Sequence, residues 1–201
     1  MVVTVPNKKY KLPAIRAFRL VDAHVHLFPN KLFQAIWDWF EKNAWPIVQR
    51  LHSESILTQL KASGITAAFG LSYAHRPGLA EYLNSFMANL AQRHPILIPF
   101  GTIMPGEPNE ERILNRAFED YCLRGIKIHC HVQRVAPDSK TMNATCRSVC
   151  DHDGILIIHA GRAPALLSQR DRISEICNVA RTKKMLERFP NMKTIVPHHL
   201  V

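Results

Sequence analysis

The sequence predicts an α/β fold built on parallel strands, and three observations carry that expectation. Apolar, β-rich runs recur at steady intervals, the stretches between them have helical character, and most of the eleven histidines fall where a run ends. The runs are AFRLVDA (17–23), ITAAFGL (65–71), ILIPFGTI (96–103), GIKIHC (125–130), ILIIHA (155–160) and KTIVPH (193–198). Strand, helix, strand repeated through six strands implies parallel pairing, because each crossover returns the chain to the same end of the sheet. Such a sheet is either doubly wound or closed into a barrel. No Gly-rich phosphate loop follows the first strand, where a dinucleotide fold would carry one, and this weighs against the doubly wound form.

Taken in order, residues 1–18 read as a basic leader, and the domain runs from 19 to 201 with no boundary inside it. After the first run, KLFQAIWDWFEKN spaces Leu32, Ile36, Trp39 and Phe40 on one helical face. Trp37, Trp39 and Trp45 are expected to pack this helix or shape a lid. SESILTQLKASG opens on Ser53 as a cap candidate and stops at Gly64. GLAEYLNSFMANLAQRHP, NEERILNRAFEDYCLRG and SKTMNATCRSVCDHDG continue the alternation, each closed by Pro or Gly. The last helical stretch, DRISEICNVARTKKMLERFP, is long enough for two pieces.

At 201 residues, 47% hydrophobic and 21% charged, the chain can bury a substantial core without disulfides, which excludes a disordered or collagenous protein. No apolar run approaches the roughly 18 residues of a membrane span. The N-terminus lacks the apolar segment and cleavage site of a secretory signal, so the cytoplasm is the expected compartment. Cys122, Cys130, Cys146, Cys150 and Cys177 are odd in number and form no C-x-x-C pair, so they read as reduced thiols, mostly core-packed. The net charge of +10 sits at the two ends: residues 1–20 hold five Lys or Arg and no acid, 160–201 hold eight against three, and the stretch between holds thirteen of each. No basic run is interleaved with aromatics, so neither nucleic acid nor membrane is an expected partner.

The histidines are the most informative feature. His24 and His26 end the first strand, His75 follows the second, His129 and His131 end the fourth, His159 ends the fifth, and His198 and His199 end the sixth. His52, His94 and His152 fall on helices or their ends. In a parallel α/β protein the strand C-termini meet on one face, which is where such folds place their sites. Residues two apart on a strand point to the same side, so His24 and His26 can bind one ion together, and His129 and His131 share a face by the same rule. Two such histidines could also merely cap a loop; His159 and His198 at equivalent strand ends favour the metal. Imidazole suits zinc and its first-row neighbours.

VDAHVHLFP, GIKIHCHVQ, LIIHAGR and FPNMKTIVPHHL, in that order and spacing, resemble the amidohydrolase superfamily, in particular its amidohydrolase-related branch of (β/α)8-barrel hydrolases and decarboxylases. The resemblance runs from about residue 19 to the end. It implies a TIM-barrel-type (β/α)8 fold, incomplete, with about six of eight units. It implies that His24, His26 and His159 are metal ligands, zinc first and manganese or another first-row ion next. His198 would contact the metal-bound water or the substrate, with His199 as its possible substitute, because this chain reads His-His-Leu-Val where the family continues His-Leu-Gly. Arg162 could hold a substrate carboxylate bidentately or form a loop-to-helix salt bridge. Lys127 stands where some superfamily members carry a carbamylated lysine bridging two metals, although one metal is usual in this branch. Asp22 is expected to fix the strand end or orient a ligand histidine; Tyr73, His75 and Arg76 to line the pocket rim or a surface loop.

The activity so implied is metal-dependent hydrolysis of a C–N or C–O bond in a small, carboxylate-bearing substrate, with decarboxylation as the alternative chemistry of the same branch. The family pattern ends with an aspartate after an eighth strand, which this sequence does not reach, so the chain reads as a truncated member. A remnant that binds metal without catalysis is therefore the competing class. The open edges this would leave predict a tendency to form homo-oligomers.

Overall fold

The computed structural model describes residues 19–159 and 176–197. Seven strand segments appear in chain order: β1 (Leu20–His26), β2 (Ile65–Leu71), β3 (Leu97–Pro99), β4 (Gly101–Thr102), β5 (Gly125–His129), β6 (Ile155–His159) and β7 (Lys193–Ile195). The helices are α1 (Asn30–Asn43), α2 (Ser53–Ala62), α3 (Ala80–Arg93), α4 (Glu110–Glu119), α5 (Cys130–Gln133), α6 (Met142–Asp151) and α7 (Val179–Arg188). The expected third run is a single strand broken at Phe100. Pro99 has no N–H to donate, and the gap is bridged by the Phe100 N–H to the Gly70 carbonyl (3.1 Å) and the Arg124 N–H to the Pro99 carbonyl (2.8 Å). The six strands thus match the six runs.

Every pairing is parallel, and the order is β1-β2-β3 followed by β4-β5-β6-β7. Each strand lies beside its successor with no reversal of order. A doubly wound sheet requires a switch point where the order turns back; a barrel does not. The fold is therefore α/β of the TIM-barrel type, incomplete within this chain.

Two kinds of core follow from strand alternation. Outward residues such as Val25, Ala68, Ile126, Ile128, Leu156 and Ile158 pack under the helices. Inward residues Leu71, Phe100 and Ile157, flanked by Phe69, Ile98, Ile155 and Ile195, fill the barrel interior. Toward the strand C-termini the same inward rows turn polar: β5 runs Gly125, Lys127, His129 and β6 runs Ile155, Ile157, His159, paired residue for residue. Gly125 is needed for that register, because a Cβ there would lie 2.0 Å from the Ile155 carbonyl oxygen and 2.7 Å from the Phe100 ring.

Two local expectations are corrected. In α1 the buried side chains are Phe33 and Trp37, Leu32, Ile36 and Phe40 are partly buried, and Trp39 is about half exposed, so the inward face is shifted toward Phe33 and Trp37 and away from Trp39 relative to the face Leu32, Ile36, Trp39 and Phe40 suggest. The Phe33 ring packs edge-on to Phe28 (centroids 5.5 Å) and stacks on Trp37 (5.5 Å), which anchors the helix to the end of β1. Ser53 is the first residue of α2 and not its cap. Its hydroxyl donates to the Phe28 carbonyl (2.9 Å) and accepts from the Phe28 N–H (3.1 Å), tying α2 to the segment just after His26. Gly64 does follow α2 as expected, at φ +86°, a conformation open to glycine at little cost.

Candidate metal centre

Two residues of β1, Ala23 and His24, lie between Asp22, paired with Ala68, and Val25, paired with Gly70, against the single Phe69 of β2, so β1 carries one extra residue there. The bulge removes the His24 N–H from the ladder, and the Asp22 carboxylate accepts it at 3.0 Å. Asp22 thus fixes the strand end rather than an imidazole ring. Beyond the bulge, His24 and His26 bring their Nε2 atoms to 3.0 Å with ring planes at 67°. Two nitrogens each ~2.1 Å from one ion lie ~3.0 Å apart at a right angle and ~3.4 Å apart at the tetrahedral angle. The pair has the spacing of two ligands on one ion.

From His26 a chain of ring contacts crosses the barrel mouth. Tyr73 meets His26 edge-on (5.4 Å) and His129 likewise (4.9 Å). His129 stacks face to face on His159, centroids 4.1 Å apart and planes within 11°, as their register pairing requires. His131 lies edge-on to His159 at 5.3 Å. It does so from helix α5: the strand ends at His129, so the rule of two that would put His129 and His131 on one strand face does not apply, and their centroids are 6.4 Å apart. Among the described residues, no group of three His, Cys, Asp or Glu converges closely enough to hold an ion. His24 and His26 are brought together; His159 stands across the mouth, reached through Tyr73 and His129. Arg162, His198 and His199 lie outside the described residues.

The electrostatics favour neutral imidazoles. Burial first, then the charges of Lys127 and of His24, holds His26 well below the ordinary histidine range. Burial first, then His159 and Lys127, does the same to His129. A neutral ring keeps a lone pair for a metal. Lys127 is fully buried, its Nζ has no hydrogen-bond partner among the described residues, and burial pushes it down to about 8. Burial also pushes Tyr73 up to about 12, so it is a neutral phenol.

Several positioning residues carried no sequence signal. The Gln133 amide accepts from the His129 N–H (2.7 Å) and donates to the Ile103 carbonyl (2.6 Å), fixing the turn after β5. The Thr102 hydroxyl donates to the Lys127 carbonyl (3.0 Å) and accepts from the Ala74 N–H (3.2 Å), joining the ends of β2, β4 and β5. Apart from the local bond between His129 and Gln133, these contacts join residues 25–30 apart, beyond any local pattern. His75 and Arg76 are exposed on the loop after β2. His52, His94 and His152 flank α2, α3 and α6, as expected, away from the strand ends.

The parallel strand order of this barrel-type fold is shared with known proteins. The solved structures it resembles include a 5-carboxyvanillate decarboxylase from Sphingomonas paucimobilis (15% identity, TM-score 0.61, covering 89% of this chain and 67% of that one). They also include an amidohydrolase II (17%, 0.68, 89% and 66%). A third is a 5-carboxyvanillate decarboxylase from Novosphingobium aromaticivorans complexed with manganese and 4-hydroxy-3-methoxy-5-nitrobenzoic acid (16%, 0.67, 92% and 66%). This chain spans about two thirds of their length. At these identities the likeness shows the fold. The family model described as amidohydrolase matches residues 21–199, nearly the whole chain, and the chain belongs to that family. No curated protein matches it.

Proposed function

We propose that this protein is the metal-binding part of an amidohydrolase-family enzyme acting on a small, carboxylate-bearing substrate. The observation that carries the reading is the 3.0 Å approach of the His24 and His26 Nε2 atoms at the barrel mouth. The donors fit a first-row ion: two imidazole Nε2 atoms at ligand spacing, with the His26 ring held neutral by its burial. His24 and His26 would hold it, with His159 as third ligand; zinc is first choice for such donors and manganese the alternative. When bound, the ion supplies Lewis-acid polarisation of a substrate carbonyl or carboxylate oxygen.

The chain's own residues do the rest. Asp22 and the bulge aim His24, Ser53 fixes the backbone two residues past His26, and Tyr73 and His129 close the inner wall against water. Arg162 is assigned to the substrate carboxylate and His198 to the reacting end, with His199 its substitute. Hydrolysis of a C–N or C–O bond is the first reading. Decarboxylation, in which the bond to the carboxylate breaks, carbon dioxide leaves and the carbon takes a proton, is the second, favoured by the two decarboxylases among the similar folds.

Metal analysis tests the reading directly. Purified protein supplied with zinc or manganese should retain about one ion per chain, and a His24→Ala/His26→Ala variant should lose it. Retention of no ion by the unmutated protein, or of as much by the variant, would refute the assignment.

A further inference from the structure

A cavity of about 490 Å³ opens beside the histidines and runs outward between α1 and α2. Its inner end is formed by His26, Tyr73 and His129. One wall is Phe33, Ile36, Trp37 and Phe40 of α1, and the opposite wall is Ile56, Gln59 and Leu60 of α2 with Ser63 just past its end. Each set has the spacing i, i+3, i+4, i+7, a complete face over two turns, about 10 Å along the helix. The two faces look at each other across open space, with Ile36, Phe40, Ile56 and Leu60 only partly buried. Helix faces of this kind normally close on one another; here something else is wanted between them.

We propose that this cavity seats the body of the site's own substrate, and that this body is aromatic and larger than a single ring. The proposal rests on the metal reading only in taking the His26 end as the reacting end. Three observations select the occupant. The volume lies in the range of small-molecule sites, roughly 300–1,000 Å³, and is too confined for a protein segment with its own fold. The cavity is continuous with the histidine cluster through His26 and His129, so a molecule in it reaches the reacting end without leaving it. Its walls are rich in rings, with Phe33 and Trp37 stacked and Phe28 and Tyr73 edge-on, surfaces that favour flat aromatic groups. A single ring covers roughly one turn of either helix and leaves the outer turn, at Phe40 and Leu60, wet. Gln49, Gln59 and Ser63 are exposed at the outer end and can hydrogen-bond a polar substituent there.

The test uses neutral probes and metal-free protein, so that a failed metal reading leaves its result untouched. Protein labelled with 5-fluorotryptophan is titrated with 2-naphthalenemethanol, benzyl alcohol and 1-octanol. The fluorine resonance of residue 37 is assigned by its disappearance in Trp37→Phe, and the exposed Trp39 and Trp45 serve as internal controls. The proposal expects a saturable shift, largest at Trp37, with 2-naphthalenemethanol binding at least about ten-fold tighter than either comparator, because the second ring buries the outer turn. Leu60→Phe and Ile56→Phe, each filling part of the cavity, should weaken it by a similar factor, and either suffices if the other fails to fold. A shift largest at Trp39 or Trp45, equal binding of the three alcohols, or unchanged binding in the filled variant would overturn the proposal.

Discussion

Two pairs of histidines stand at the mouth of this barrel, and they are built in opposite ways. His24 and His26 belong to one strand, are turned edge to edge, and bring nitrogen to nitrogen at 3.0 Å. His129 and His159 belong to neighbouring strands in register and are stacked face to face at 4.1 Å. Stacked rings direct their in-plane lone pairs alongside one another; the His24 and His26 rings, at 67°, meet through their Nε2 atoms. Position on a strand end therefore does not by itself bring two imidazole nitrogens to the spacing of one ion's ligands. The bulge in β1 makes the first pair, whereas unbroken parallel register makes the second.

The second pair should be breakable without the first. Gly125→Ala puts a methyl group 2.0 Å from the Ile155 carbonyl oxygen, a backbone atom that cannot move without parting β5 from β6. Denaturant unfolding should show a loss of about 3 kcal/mol or more. If the protein folds, the interaction of His129 with His159 should be lost while His24 and His26 are left in place. Unchanged stability would mean that the two strands are not held as described.

A change of opposite sign tests the charge beneath both pairs. Lys127 is buried without a hydrogen bond and pushed down from 10.5 to about 8. Above pH ~10.5 both folded and unfolded chains carry the neutral amine, and burial costs nothing on this account. As pH falls to 8 the unfolded chain takes up the proton first, so stability declines and stays lower. At pH 7 the cost is about 3 kcal/mol, and Lys127→Met should recover most of it while removing the rise in stability between pH 8 and 10.5. A variant no more stable than the parent at pH 7 would show that Lys127 is compensated by a contact not described.

The contrast between the pairs also shows what a sequence reveals. All six strands could be read from their apolar runs, and the convergence of histidines followed from parallel winding alone, because both are periodic, local facts. The bulge between Asp22 and Val25 could not, since it depends on how β1 meets β2. Nor could the break at Phe100, the switch to helix at Cys130 that separates His131 from His129, or the roles of Gln133 and Thr102, each satisfied by a partner 25–30 residues away. The shift in the inward face of α1 escaped for the same reason: an aromatic-rich helix offers two apolar faces, and only Phe28 decides which is buried.

The first pair is more gently disturbed through Ser53. Its hydroxyl satisfies both the N–H and the carbonyl of Phe28, which begins the turn out of β1. Ser53→Ala leaves a buried N–H without its partner and should cost about 1–3 kcal/mol. If the segment after His26 loosens as expected, zinc affinity should fall several-fold while His129 and His159 remain stacked. Equal metal affinity in parent and variant would show that β1 alone positions the pair.

The smallest effect is a shared pH dependence that the two pairs should divide between them. Burial holds both His26 and His129 well below the ordinary histidine range of about 6.5. Above that pH both rings are neutral in folded and unfolded chains alike. Below it the unfolded chain binds protons that the folded chain refuses, so stability falls as pH falls, by up to ~1.4 kcal/mol per pH unit for each ring. His26→Gln and His129→Gln should each flatten the slope of stability between pH 6.5 and 5 by up to one proton's worth. The two changes should add only in part, because each ring's charge also disfavours the other's. Saturating zinc should separate them: bound through His26, it would steepen the acid slope of the parent and of His129→Gln, but do so much less for His26→Gln. Equal steepening in both variants would mean that the ion does not choose the edge-to-edge pair over the stacked one.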